Sequence, residues 1–284
     1  MNGFVTALQA EFYVSLRSFS GKLIVLAPSV LVLIQYLITK LSEAGQQARD
    51  NLLGSSSFAD INGNAYGYYV DGLSTGITTL GLLLVGYAAF SISSDRDTGV
   101  IRHLLIRRIS RSALLLAKLA HIHLMAIASF LLLLGFTYFG SGLLWEYGAI
   151  VEDGFELISV EEISTEISLG IKLALIPLPA AIAFGLLVSV CTQSTTQAVT
   201  SALGITILLD VFKAMLGDYA YYLYATFQPS LLEQSYLQDV SRIVRGFSDV
   251  LIDDRVQQLN LWVPVPEMLA FVLAGLYIIQ RRKL

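Results

Sequence analysis

Apolar positions along the chain gather into six long runs, at 22–40, 72–93, 112–139, 168–191, 197–216 and 261–280. Each is close to the ~20 residues that an apolar α-helix needs to cross a bilayer, so each predicts a span. Three further stretches alternate apolar and polar residues at helical spacing. Residues 1–21 carry Phe4, Leu8, Phe12, Leu16 and Phe19, with Glu11 and Arg17 between them, and predict a helix lying in the membrane interface. Residues 94–111 put Val100, Ile101, Leu104 and Leu105 on one face. Ser94 and Asp97 there have the spacing of a capping box. Asp95 and Asp97 at the start, with Arg107 and Arg108 at the end, match the helix macrodipole. About twelve helical residues reach only ~18 Å, so this is a surface helix between two spans. Residues 217–260 begin with a charge-free segment at 219–232, too short to cross. Leu237, Val240, Ile243, Val244, Phe247, Val250 and Leu251 follow in an amphipathic pattern, and the whole stretch predicts two short helices dipping into the outer leaflet.

The expected architecture is an all-α membrane protein, one transmembrane domain over 1–284. Pro177 and Pro179 remove backbone donors from the fourth span and should kink it. Pro28 sits near the start of the first. The flank SEAGQQA after that first span resembles a signal-peptidase site, but the apolar run starts late, behind an acid-containing amphipathic segment, so the span is expected to be retained. Residues 41–70 are polar and end in Tyr66, Tyr68 and Tyr69, a cluster suited to a membrane-interface belt. Gly72 and Gly76 form a lone GxxxG, read as close packing. His121 and His123, two apart, point to different faces of a helix and are read as packing residues rather than metal ligands.

Composition agrees with the pattern. Of 284 residues only 14% are charged, against about 25% in soluble domains. The single cysteine, Cys191, excludes an internal disulfide framework. The net charge of −4 conceals a strong asymmetry. Arg17, Lys22, Arg96, Arg102, Arg107, Arg108, Arg111, Arg281, Arg282 and Lys283 all fall on one side if the spans alternate. Residues 140–169 fall on the other, with Glu146, Glu152, Asp153, Glu156, Glu161, Glu162 and Glu166 and no Lys or Arg, and read as a solvated loop. The positive-inside rule then places both termini and the 94–111 helix in the cytoplasm.

Residues 93–118, SSDRDTGVIRHLLIRRISRSALLLAK, resemble the intracellular loop of type-2 ABC-transporter permeases. The matching residues are Asp95, Gly99, Leu104, Leu105, Ile109, Ser110, Arg111 and Lys118. Val100 stands where that family usually has Thr, Arg108 where it has Pro, and Ala117 where it has Gly. The resemblance extends to the layout of nearly the whole chain. It implies an elbow helix at 1–21 and a coupling helix at 94–111. It also implies short re-entrant helices at 217–260 and a bacterial cytoplasmic (inner) membrane location. Partners implied are a dimer of ABC ATPase subunits, a second permease subunit and membrane lipid, with no nucleic acid. The ATPase-docking residues would be Asp95, Arg96, Asp97, Gly99, Val100, Ile101, Leu104, Leu105, Arg107, Arg108 and Arg111, although the arginines also suit plain membrane anchoring.

No GxxxxGK[ST] occurs, so the chain is not expected to hydrolyse nucleotide; ATP and Mg belong to the partner. Nor is there a Ser/His/Asp set, an HExxH or a pair of intramembrane carboxylates. Three membrane functions therefore compete: the permease subunit of an ATP-driven exporter, a permease-like subunit that anchors or regulates an ATPase without transporting, and a secondary transporter. The resemblance makes the second and fifth spans border the substrate path. There Ser74, Thr75, Thr78, Thr79, Thr200, Ser201 and Thr206 offer hydroxyls rather than charges, which suits amphipathic or lipid-like cargo. Asp210 and Lys213, one turn apart, could form an intramembrane ion pair joined by Lys172.

Overall fold

A computed structural model describes residues 3–53, 64–100, 109–152, 155–228, 236–245 and 254–282. The coupling-helix positions Ile101, Arg102, Leu104, Leu105, Arg107 and Arg108 lie outside them, as do Asp153, Phe247, Val250, Leu251 and Lys283. Among the described residues, six helical stretches are long and apolar enough to cross a membrane. The chain is an integral membrane protein built almost entirely of helices.

Helix α1 (Gly3–Arg17) is followed after Ser18 by α2 (Phe19–Leu53). The Ser18 hydroxyl accepts the Gly21 N–H at 3.1 Å, which starts the new helix at once. α3 (Ala65–Asp97) and α4 (Arg111–Leu144) come next, then a hairpin of β1 (Ile150–Glu152) and β2 (Phe155–Ile158). The fourth span is two helices, α5 (Val160–Leu175) and α6 (Leu178–Cys191), and the fifth is α7 (Thr195–Phe212). A 3-10 segment (Lys213–Tyr222), a single turn α8 (Tyr224–Phe227), α9 (Tyr236–Val244) and α10 (Asp254–Trp262) lead to α11 (Pro264–Arg281).

α3 is the central element and packs on α2, α4, α6, α7 and α9. Small residues make that possible. A Cβ at Gly185 of α6 would lie 2.7 Å from the Val85 carbonyl of α3, so only glycine lets the two backbones come this close. Gly72 and Gly76, the GxxxG pair, lie against Tyr36 and Val32 of α2 and Leu133 of α4, which is close packing within the chain. Buried hydroxyls return to their own helix: Thr78 to the Ser74 carbonyl at 2.8 Å, Thr137 to that of Leu133 at 2.7 Å and Thr206 to that of Ala202 at 2.9 Å. Such bonds satisfy polar groups where lipid and apolar side chains cannot.

The expected break in the fourth span falls between α5 and α6, at Ile176–Pro177. Proline has no N–H to give the carbonyl four residues back, which is that of Leu173. The Asn260 side-chain amide supplies the missing donor at 3.0 Å. A loss written into one span is thus made good by α10, almost 90 residues on.

Several boundaries differ from the sequence expectation. The first-span helix does not stop at 40 but runs to Leu53, because 41–53 is mostly Leu, Ala, Gln, Glu and Arg, good helix formers, and the run of Gly54, Ser55, Ser56 and Ser57 comes only afterwards. The acidic 140–169 region is not one loop. Its start completes α4, its middle is the hairpin, and a capping box of Ser159 and Glu162 opens α5 at Val160. Ser94 and Asp97 do not start a helix. α3 continues through both, and it ends at Thr98 and Gly99, whose φ is +75°. After α7, Gly217 at φ +55° turns the chain, and α8 lies in a cluster with Val85, Ala89, Ala180, Ala181, Ala198 and Ala202. α9 buries Leu237, Val240 and Val244 in a cluster that includes residues of α3 and α5.

Candidate functional site

At the end of the bundle carrying Asp95, Arg111 and Arg281, hereafter the basic end, α3 finishes in two carboxylates spaced two residues apart. On a helix that spacing sends them to different faces. Asp95 Oδ2 meets Lys118 Nζ of α4 at 2.7 Å, and the same ammonium meets Glu11 Oε1 of α1 at 2.8 Å. The Lys118 side chain is 3% exposed, so one buried cation holds three helices together. One turn further along α4, His121 Nε2 and the Ser15 hydroxyl of α1 are 2.9 Å apart, and Phe12 presents its ring to the imidazole at 4.9 Å. Asp97 works on the other side. Its Oδ2 accepts the Thr195 backbone N–H at 2.7 Å and the Thr195 hydroxyl at 2.6 Å, at the first turn of α7. A carboxylate there satisfies an orphan donor and faces the positive end of the α7 dipole.

The last span is fastened at the same end. Arg111 Nη1 donates to the carbonyls of Arg282 at 2.6 Å, Gln280 at 3.2 Å and Ile279 at 3.3 Å, which closes the C-terminus of α11 with a cation. Arg282 donates to the Val190 carbonyl at the end of α6. The Ser110 hydroxyl accepts the Ala113 N–H at 3.1 Å and opens α4. Of the residues read from the sequence as docking, Asp95, Asp97 and Arg111 are thus engaged within the chain. The guanidinium nitrogens of Arg96 are buried without a hydrogen-bond partner among the described residues. Val100 is exposed, just after the Gly99 turn. These contacts bracket residues 101–108 on both sides.

The hydroxyls assigned to a substrate path divide. Ser74, Thr78 and Thr206 are buried, while Thr75, Thr200 and Ser201 are exposed and Thr79 is half-buried. Thr79 donates to the Thr75 carbonyl at 2.8 Å and Thr200 to that of Thr196 at 2.7 Å. α3 and α7 pack against each other, with Gly86 facing Leu203. Asp210 and Lys213 form the expected pair at 3.0 Å. Lys172 is exposed on α5, and no ion pair links it to either of them among the described residues.

The opposite end, which carries the hairpin, holds a second polar assembly. Asn64 caps α3, accepting the Tyr66 N–H at 3.0 Å, and its amide donates to the Gly148 carbonyl at 2.7 Å, so the loop before the hairpin is pinned to α3. Glu43, on the extension of α2, accepts the Trp145 indole N–H at 3.0 Å and the Tyr68 hydroxyl, and pairs with Lys40 at 3.3 Å. Asp71 accepts the Ser241 hydroxyl at 2.6 Å and pairs with Arg245. Between them lies a cavity of about 890 Å³.

Sequence reading left Glu11, Glu43, Asp71, Trp145 and Arg245 without a role. One signal was available: Tyr36, Lys40 and Glu43 sit at i, i+4 and i+7, one face of any helix that continues past residue 40.

Among known protein families, the model described as ABC-2 family transporter protein matches residues 5–281. No curated protein and no solved structure matches the chain.

Proposed function

Because the chain belongs to the ABC-2 family of transporter proteins, we propose that it is the permease subunit of an ATP-binding cassette exporter in a bacterial cytoplasmic membrane. Both termini face the cytoplasm, a reading that the arginines of the basic end support under the positive-inside rule. Two permease chains pair, and each presents residues 94–111 to an ABC ATPase subunit. ATP and Mg are bound and consumed there, not in this chain. Residues 1–21 act as the elbow helix, and 217–260 supply the short re-entrant outer helices. Amphipathic cargo passes the exposed hydroxyls of α3 and α7.

The observation that carries this reading is the paired fastening of the α3 terminus, Asp95 through Lys118 to α4 and α1, and Asp97 through Thr195 to α7. A load applied to residues 101–108 is delivered through these bonds to four helices together. That is what a rigid-body switch between two arrangements of the spans needs.

Placing a charge in the docking face tests it. Leu104→Asp puts a carboxylate into a contact that must be dry, which costs several kcal/mol or opens the joint. The variant should express and insert yet lose the ATPase on detergent purification, while Arg102→Ala retains most of it. Retention of the ATPase with normal transport in Leu104→Asp would remove the coupling role from this segment. Substrate-stimulated ATPase activity in the wild-type complex distinguishes a transporting subunit from one that only anchors the ATPase.

A further inference from the structure

The hairpin-end cavity contains a cation site that the protein fills with its own side chain. Lys40 Nζ lies 3.3 Å from Glu43 Oε2 and 5.1 Å from the centroid of the Trp145 ring. Tyr68 stacks on that indole at 3.9 Å and 16°, and Tyr36 meets it edge-on at 5.6 Å and 82°. Glu43 is fixed by the Trp145 and Tyr68 donors, so carboxylate and rings hold their places whether or not an ammonium is present. Carboxylate and indole face together are the chemistry that recognises alkylammonium groups.

The occupant is loosely held. The Lys40 side chain is 46% exposed, its one carboxylate partner among the described residues is three positions away on the same helix, and it hangs on a flexible four-carbon stem. Beyond that pair the lining carries Asp50, Asp71 and Glu146 against Arg245, which is acidic in balance. A concave wall with an excess of one sign draws ions of the other. The volume lies in the range of pockets that enclose small organic ligands. Ile38 and Leu144 also line the cavity, and the neighbouring Leu37, Leu41 and Leu143 are exposed on the same two helices, so an alkyl chain has an apolar route out of it.

We infer that this cavity binds the head of an ammonium-bearing amphiphile, a primary or quaternary amine on an alkyl chain, which takes the place of the Lys40 ammonium between Glu43 and Trp145. The site lies wholly within one chain and needs no ATPase, so its failure would leave the proposed coupling untouched, and the reverse.

The chain has two tryptophans, and Trp262 is 74% exposed, so Trp262→Phe leaves Trp145 as the sole indole reporter. The full-length variant in a maltoside detergent is titrated with octyltrimethylammonium, octyl sulfate and 1-octanol while Trp145 emission is followed. The expected result is a saturable change with the ammonium at a concentration at least about tenfold below that for either control, in line with cation–π and carboxylate recognition. Adding Lys40→Met removes the internal competitor and should tighten ammonium binding by about three- to tenfold, since an exposed cation–π contact and a surface ion pair are each modest. Adding Glu43→Gln should weaken it by about tenfold or more. Lys40→Met keeps the packing stem, so it serves even if Glu43→Gln folds poorly. Equal response to octanol and the ammonium, or unchanged or weaker ammonium binding in Lys40→Met, overturns the inference.

Discussion

Two lysines at opposite ends of the molecule pair with carboxylates, and their surroundings give them opposite work. Lys118 lies between Glu11 and Asp95 at 2.8 and 2.7 Å with 3% of its side chain exposed. Lys40 has one carboxylate partner among the described residues, Glu43 at 3.3 Å, with 46% of its side chain exposed. At the basic end the cation is enclosed by three helices that reach it from separate parts of the chain, and nothing can replace it without opening them. At the hairpin end both partners stand on one helix beside a cavity, so Lys40 can leave while every helix stays where it is. A buried ion pair of the first kind transmits displacement. An exposed one of the second kind holds a place for something else.

The strongest test of that contrast is Lys118→Met. It leaves two half-buried carboxylates facing each other without a counter-charge, which costs up to about 3 kcal/mol, the low end for a broken buried pair because water reaches both partners. Thermal unfolding in detergent should show a large fall in midpoint, with poor expression. Neutralising the partners in Lys118→Met/Glu11→Gln/Asp95→Asn should recover most of the loss, because the cost lies in the unpaired charges rather than in the removed attraction. A Lys118→Met protein as stable as wild type would mean that the basic end is wet and its contacts are not a rigid joint.

A smaller effect is expected at Asp97, which is solvent-exposed yet tied to the start of α7. Asp97→Ala removes two acceptor contacts from Thr195 while Ser194 still caps the Gln197 N–H at 3.3 Å. Amide exchange in the first turn of α7 should become about fivefold faster, the loss of one helix-end contact, with global unfolding little changed. Faster exchange spread over all of α7 and α3 would instead show that Asp97 carries as much of the joint as Lys118 does.

The sequence made the two ends unequally legible. Six apolar runs, the proline break of the fourth and the concentration of arginine at one end could be read directly, because each is a local property of composition or backbone chemistry. Asp95 and Lys118 also drew attention, through a resemblance of the loop that contains them. Their pairing with each other and with Glu11 depends on where α1 crosses α4, which no local pattern states. Ser94 and Asp97 were misread for a related reason: the spacing of a capping box also occurs at the end of a helix, and here Gly99 decides where that end lies. The hairpin-end assembly was the least legible. Polar residues at 41–53 hid a helical continuation, and Glu43 finds Trp145 across 102 positions of sequence. Only the Tyr36, Lys40, Glu43 spacing carried a trace of it.

The smallest expected change in stability completes the contrast. Lys40→Met removes one exposed i,i+3 ion pair and one cation–π contact while keeping an apolar stem against the Trp145 ring. An ion pair and a cation–π contact of this exposure together contribute about 1 kcal/mol or less, and added salt screens much of it. Thermal midpoints of wild type and Lys40→Met should therefore agree closely in detergent, and the small difference should shrink further at high ionic strength. Glu43 keeps its Trp145 and Tyr68 donors in the variant, so the aromatic wall stays assembled and near-ultraviolet circular dichroism should be preserved. The same methionine that is ruinous at 118 should thus be almost silent at 40. A fall in midpoint at 40 comparable to that at 118 would mean that Lys40 holds the hairpin end together, that its ammonium is structural, and that the two lysines differ in exposure but not in role.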